Sequence, residues 1–475
     1  MFETALPPPD LVDDRPGEAC GVFGIYAPNL DTARLTYFGL FALQHRGQES
    51  AGIAAADGET VTVYKDLGLV AQVFDETTLS GLTGNIAIGH TRYSTTGSSA
   101  WVNSQPIYRQ ANGTGIALAH NGNLSNTHEL AARLPDPGTS DSDIMTEMIA
   151  LEVQNGHTLP EAVAAVAPLF VGAFSLTILD TNTLVGLRDP FGFRPLVLGK
   201  LDDAWVIASE TCALDIVSAK FVREIEPGEM VVVSEAGLES HYPFPEQQTR
   251  QLCVFEFVYF SRPDSIMAGK NIHGVRRRMG VSLADQAPVD VDIVVPVPES
   301  GIPAAQGYAA ATGLPYTDGL VKNRYVGRTF IEPAQSMRDR GVRLKLNAMP
   351  GELGGQRVVL VDDSIVRGST TKQLVAMVRE AGATEVHLRI SSPPYRWPCF
   401  YGMDTGDRNT LLAAGRSVDE IAAFLNVDSL AYLELDRLLA ATGLAPETLC
   451  TACLSGQYAT DIPTTTNKIA LENSR

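Results

Sequence analysis

VVLVDDSIVRGSTT, residues 358–371, sets an apolar run ahead of two adjacent carboxylates and a hydroxyl-rich glycine turn. Val358 to Val361 have the composition of a buried parallel strand. Leu374, Met377, Val378 and Ala381 recur at i, i+3, i+4 and i+7, the stripe of a helix packed on that sheet. The turn between strand and helix therefore faces a ligand. Gly368 lets the backbone come close, and the amides of Ser364, Val366, Arg367, Gly368, Ser369 and Thr370, at a helix N-terminus, are donors suited to a phosphate monoester. Asp362 and Asp363 can grip sugar hydroxyls, so the order of residues suits a phosphorylated ribose. Paired aspartates after a strand also open a receiver domain, and any strand, glycine turn and helix can hold a nucleotide. Neither alternative explains the GSTT that follows.

Outward from this run, Val291 to Val295 form a second apolar strand ending in PVPESGIPAAQGYA, 296–309, again a strand, a small turn and a helix. Two such units side by side imply a parallel α/β sheet. Between them, Lys322, Arg324, Arg328, Arg338, Arg340, Arg343 and Lys345 oppose only Glu332 and Asp339. With Gly327, Gly341 and few large apolar residues, this basic stretch suits a lid over pyrophosphate.

The chain as a whole is acidic, with 36 Lys and Arg against 55 Asp and Glu for a net charge of −19, which disfavours nucleic acid or anionic membrane as a general partner. Its 475 residues exceed one core, so two or three domains are expected. Ala162 to Leu179 has the length of a membrane span but holds Pro168, Gly172, Ser175 and Thr177, and reads as a helix, a turn and a strand. The leader MFETALPPPDLVDDRPGEA is proline-rich and acidic, unlike a secretory signal, and a cytoplasmic location is expected. Six cysteines in so long a chain are not a disulfide scaffold; they are catalytic, ligating or buried.

In the amino-terminal half, CGVFGIYAP opens at Cys20 and is followed by LQHRGQESAGIA at 43–54, HTRYSTTG at 90–97, AHNGNLSN at 119–126, TSDSD at 139–143 and RDPFGFRPL at 188–196. Together these resemble the class II glutamine amidotransferases over about residues 20–240. The resemblance implies an N-terminal-nucleophile αββα sandwich with Cys20 as nucleophile. It further implies that Arg92 and Asp141 hold the α-carboxylate and α-ammonium of glutamine, that Thr95 adds a hydrogen bond, and that Asn121 and Gly122 form the oxyanion hole. A thiol of ordinary pKa about 8.5 needs a base, and a freed α-amine of about 7.7–8.0 on the same residue is suitably poised. Residues 1–19 are therefore expected to be a propeptide cleaved before Cys20.

In the carboxyl-terminal half, the 358–371 run resembles the type I phosphoribosyltransferases that use phosphoribosyl pyrophosphate, PRPP. That likeness implies Mg²⁺ beside Ser300, Asp362 and Asp363, an ion that accepts hard oxygen ligands and is bound largely through substrate phosphates. KNRYVGRTFIEPAQSMRDRGVRLKLN, 322–347, resembles the loop that closes over PRPP in the glutamine PRPP amidotransferases, with Lys322, Arg324 and Arg328 as the contacts. By spacing alone, Cys253, Cys399 and the pair Cys450 and Cys453 are a weak metal signal, and zinc or plain burial would also fit. Their flanking words, QLCVFEFVYFSRPDS, WPCFYGMD and LCTACLSG, resemble the subclass that holds a [4Fe–4S] cluster on four thiolates. The cluster would staple residue 253 to the C-terminal segment, where Ser417, Asp419 and Glu420 begin a capped helix. Cys212 has no such partner and is expected to be buried.

The expected organisation is a propeptide 1–19, a glutaminase domain 20–240, a junction 241–260, a phosphoribosyltransferase domain 261–460 with C-terminal helices and cluster ligands, and a polar tail 461–475. The likeness to the glutamine PRPP amidotransferases runs from Cys20 to about Tyr458. It implies glutamine and PRPP as substrates, 5-phosphoribosylamine as product, purine nucleotides as feedback inhibitors and a homotetramer. Another glutamine-dependent synthase would share only the first half. A PRPP-sensing regulator would need a nucleic-acid-binding surface and would have no use for Cys20 with Arg92 and Asp141.

Overall fold

The computed structural model describes residues 20–93, 98–136, 138–246, 248–323, 345–403, 405 and 407–462. Thr95, Arg324, Arg328, the 1–19 leader and nearly all of the tail lie outside the described residues.

The strand Gly21–Tyr26 shows how the first lobe is layered. Phe23 and Ile25 pack with helices Thr32–Ala42 and Thr211–Ile216, while Val22 joins residues of a second sheet. This two-residue alternation is what a strand buried on both faces requires. The strand lies in an antiparallel seven-stranded sheet, between Ile86–Arg92 and Ala204–Ala208. A six-stranded antiparallel sheet packs on it through Ala117, Ala119, Leu184 and Val231. Helices Asp141–Gln154 and Leu159–Val166 cover the outer face of the second sheet through Ile144, Met145, Ile149 and Val163. The layers run helix, sheet, sheet, helix, as the sequence implied. The 162–179 stretch is a helix, a short 3₁₀ turn and the strand Gly172–Leu179, and no helix among the described residues is long and apolar enough to cross a membrane.

The second lobe carries a four-stranded parallel sheet ordered Ile293–Pro296, Arg357–Asp362, Glu385–Ile390, Ser429–Tyr432. Val359 and Val361 face helices Ile272–Gln286 and Ile302–Thr312, and Val358 and Leu360 face helices Ser369–Glu380 and Val418–Leu425. Leu374, Met377 and Val378 are buried as the helical stripe requires, and Ser417 with Glu420 forms a capping box.

The expected junction, 241–260, contributes to the core of the second lobe. Leu252 to Phe260 is largely buried core, with a π-helical turn over Glu256–Phe260. Around it two arginines and two glutamates with fully buried side chains cross between the lobes. Arg46 donates to Glu210 and, from the first lobe to the second, to Glu256. Arg194 donates to Glu256 at 3.2 Å, and Glu210 accepts from Arg262 N–H at 2.9 Å and Ser265 Oγ at 2.6 Å. Burial on its own would raise the Glu210 pKa, but Arg46 and His45 hold it well below the carboxylate range.

Arg46→Ala strands carboxylates in a dry interface, which is expected to cost about 3–5 kcal/mol. A urea midpoint at neutral pH equal to that of the parent protein would contradict this. Because the Glu210 pKa is depressed by folding, its stabilisation is present above about pH 4.3, the ordinary glutamate value, and fades as pH falls. The gap between parent and variant should therefore narrow in acid.

Candidate functional site

Strand ends bring the amino-terminal set together. Cys20 immediately precedes the strand Gly21–Tyr26, Arg92 ends Ile86–Arg92, Asn121 and Gly122 lie in Thr114–Leu124, and Asp141 opens its helix behind the cap Ser140. A small closed cleft is lined by Cys20, Arg92, Gly122 and Asp141, joined by Tyr93 and His120. Sequence reasoning missed Asn103 and Gln105, which lie outside the quoted motifs, and gave no role to His120 and Ser142, which lie inside AHNGNLSN and TSDSD; all four also line it. Gln105 Oε1 accepts from the His120 N–H at 2.7 Å and its amide donates to Ser142 Oγ at 3.0 Å, bracing the back wall.

The chemistry of the cleft follows from burial. Desolvation pushes the Cys20 thiol up, against the smaller lowering effects of the Tyr93 N–H, 3.4 Å from Sγ, and of Arg92. A thiol so placed stays protonated unless a base takes the proton. Arg92, almost fully buried, donates to Ser98 O at 3.0 Å and lies 3.7 Å from Glu49. Asp141 accepts from the N–H groups of Leu124 at 3.2 Å and Ser142 at 2.8 Å. Both side-chain polar atoms of Asn121 are buried without a hydrogen-bond partner among the described residues, a cost rarely left unexplained. Gly122 has φ +153°, and a Cβ there would sit 2.0 Å from Ala173 O. A separate cavity of about 800 Å³, lined by Lys65, Trp101 and Arg109, touches the TSDSD segment at Thr139 and Asp143 but holds none of the residues given a role from the sequence.

The second constellation is at the C-terminal ends of the parallel strands, where open α/β sheets bind ligands. Asp362 ends its strand, Asp363 accepts from Ser364 Oγ at 2.6 Å, and Gly368 takes φ +84° as N-cap of the helix beginning Ser369. Val366 packs into the core, so it can offer a ligand only its backbone. Arg367 and Thr370 are partly exposed and Ser369 is exposed. The neighbouring helix is capped by Gly301 rather than Ser300, without a side-chain cap bond. Ser300 Oγ and Asp363 Oδ2 are both buried without a hydrogen-bond partner among the described residues, and such oxygens suit a hard cation and its waters. Lys322, at the stem of the basic stretch, pairs with Glu299 at 3.3 Å and so lies beside this turn.

Cys253 and Cys450 are register partners in a two-stranded parallel ribbon, and Arg396 and Trp397 N–H both donate to Cys453 O, bringing the 399 segment alongside. No three or more His, Cys, Asp or Glu among the described residues are grouped to hold a single metal ion. The four thiols nevertheless sense one another: burial first, then Cys399, Cys253 and Cys450, raise Cys453 well above its usual value, and burial pushes Cys253 up to about 12. Four mutually interacting thiols suit a multi-iron cluster, which accepts ligands around a wider body than one ion. Cys212 is buried, as expected.

Residues 90–215 match the model of the glutamine amidotransferase domain, and residues 264–391 that of the phosphoribosyl transferase domain. The chain is 52% identical to an amidophosphoribosyltransferase of Synechocystis over 97% of its length and 95% of the relative, and 46% identical to that of Bacillus subtilis over 94% and 95%. Among solved structures it resembles the allosteric regulatory enzyme of purine biosynthesis (45% identity, TM-score 0.89, covering 95% of this chain and 99% of that one). It also resembles the B. subtilis glutamine PRPP amidotransferase complexed with ADP and GMP (45% identity, TM-score 0.87, covering 94% and 99%).

Gly122→Ala forces a methyl group onto the Ala173 carbonyl. Strain and overpacking together should cost roughly 2–4 kcal/mol, read as a lowered unfolding midpoint. An unchanged midpoint would mean that the strand Thr114–Leu124 can yield there.

Proposed function

We infer how the two sites work from one premise: this chain belongs to the amidophosphoribosyltransferases. The enzyme converts glutamine, PRPP and water to 5-phosphoribosylamine, glutamate and pyrophosphate, the first committed step of purine synthesis. A synthase sharing only the first half would not match over both domains.

In this reading Cys20 Sγ attacks the amide carbon of glutamine and ammonia leaves from the tetrahedral adduct. The thiol is raised by burial, so a base is needed, and removal of residues 1–19 supplies one as the Cys20 α-amine. The Arg92 fork holds the α-carboxylate and Asp141 the α-ammonium, with Thr95 adding a hydrogen bond, so that only the free amino acid is accepted. Asn121, whose amide is left unpartnered, and the Gly122 N–H receive the oxyanion. That idle buried amide beside the thiol cleft is the single observation that carries the glutaminase half.

In the transferase lobe the amides of Ser364 to Thr370 hold the 5-phosphate, Asp362 and Asp363 hold the ribose hydroxyls, and Lys322 and Arg324 close over pyrophosphate. Ser300, Asp362 and Asp363 would hold Mg²⁺, which would supply positive charge against the departing pyrophosphate. Cys253, Cys399, Cys450 and Cys453 would hold a [4Fe–4S] cluster, whose role would be structural. Ammonium in bulk water is no nucleophile, so closure must leave a dry passage between the sites. The proposal includes a cytoplasmic homotetramer inhibited by purine nucleotides, in keeping with the ADP and GMP bound to the B. subtilis relative.

Glutamate and pyrophosphate release, followed with and without PRPP, tests both lobes at once. PRPP should accelerate glutamate release and yield pyrophosphate in step with it; glutamate release indifferent to PRPP, with no pyrophosphate, would refute the reading. Cys20→Ala should abolish glutamine-dependent synthesis yet keep ammonia-dependent synthesis, and active protein should begin at Cys20 by intact mass. Full activity in a chain retaining Met1 would defeat the free-amine mechanism. The purified protein should be brown with about four iron atoms per chain. A colourless protein with stoichiometric zinc would overturn the cluster.

A further inference from the structure

The segment Cys399–Gly402 of the transferase lobe lies directly behind the strand that carries Asn121 and Gly122. Asn123 Nδ2 donates to Phe400 O at 3.1 Å, Arg194 Nε donates to Tyr401 O at 3.0 Å, and the Tyr401 ring stacks on Phe193 with centroids 4.0 Å apart. Gly402 has φ +104°, and a Cβ built on it would sit 3.3 Å from both Cα and C of Gly122 and 2.9 Å from Arg194 Nη2. Gly122 is blocked on its other side by Ala173 O. Its peptide is thus clamped between a neighbouring strand of its own lobe and the backbone of the other lobe. The same segment runs back through Tyr395 to Ser391, whose N–H donates to Asp362 O at 2.9 Å. One short stretch of chain therefore touches the strand end at the PRPP site and the peptide proposed to receive the oxyanion.

We propose that Asn123 and Gly402 are positioning residues for glutamine hydrolysis, holding the Asn121–Gly122 pair from the transferase lobe so that the hole is formed only while residues 399–402 are seated. The inference rests on the reading of Asn121 and Gly122 as the oxyanion hole. Neither positioning residue needs to touch glutamine. Donors to an oxyanion act through fixed placement, and an error of a few tenths of an ångström at Gly122 would be felt in the adduct while the α-carboxylate and α-ammonium contacts stayed in place.

Asn123→Ala removes a hydrogen bond without adding an atom, and Gly402→Ala presses a methyl group on Gly122. Each should lower kcat for glutamine hydrolysis about tenfold or more, part of the 10²–10³-fold lost when an oxyanion donor is deleted. KM for glutamine should stay within about threefold and ammonia-dependent synthesis should be retained. The readout that a merely structural role would not move is affinity for glutamate γ-semialdehyde, whose adduct with Cys20 needs the hole, against affinity for glutamate, which does not. The first should fall and the second hold. Asn121→Ala runs in parallel: if it leaves hydrolysis intact, the oxyanion assignment itself fails. If it abolishes hydrolysis while Asn123→Ala behaves as the parent protein, or loses both activities equally, the positioning role is overturned. Asn123→Ala decides the matter should Gly402→Ala not fold.

Discussion

The molecule is organised around four buried charges. Arg46, Arg194, Glu210 and Glu256 form a neutral quartet with fully buried side chains at the seam between the lobes. Such groups are expensive to dehydrate, and apolar replacements of similar volume are often as stable, so what the quartet contributes is direction rather than net binding energy. Glu210 belongs to the first lobe yet accepts from Arg262 and Ser265 of the second, and Glu256 of the second accepts from Arg46 and Arg194 of the first. Each lobe thus carries a buried carboxylate that groups of the other help to satisfy. A relative shift of an ångström or two would leave an ion unpaired in a dry interface, and the two sites are held in one orientation by that penalty.

This constraint gives meaning to the remaining contacts across the seam. The strand holding Asn121 and Gly122 can be backed by Phe400 and Gly402 only if the lobes are docked in this orientation. Cys253 likewise meets Cys450 in register because Leu252 and Cys253 run alongside Phe193 and the C-terminal segment together. The cleft at Cys20, the ribbon of Cys253 with Cys450 and the turn after Asp362 stand on different elements of the same docked pair of lobes.

Much of this was legible in the chain. Both strand, turn and helix units of the second lobe follow from period, since local patterns report which faces are buried, while the four-layer first lobe and the clustering of Cys20, Arg92, Gly122 and Asp141 follow from the family resemblance. The seam was not legible. Arg46 sits in LQHRGQES and Glu256 in VFEFVYF, and a charged residue inside either word reads as solvated until its partner from a distant segment is known. For the same reason 241–260 read as a junction although most of its second half is core. Gln105 escaped notice because bracing a histidine needs no motif, only proximity, and Ser142 because TSDSD drew attention to Asp141 instead.

The ribbon joining Leu252 and Cys253 to Leu449 and Cys450 has a bearing on biogenesis. Two residues per strand cannot persist alone in water, and the second strand emerges from the ribosome long after the first. The first lobe can gather its sandwich early, but this ribbon closes only once both lobes have been made.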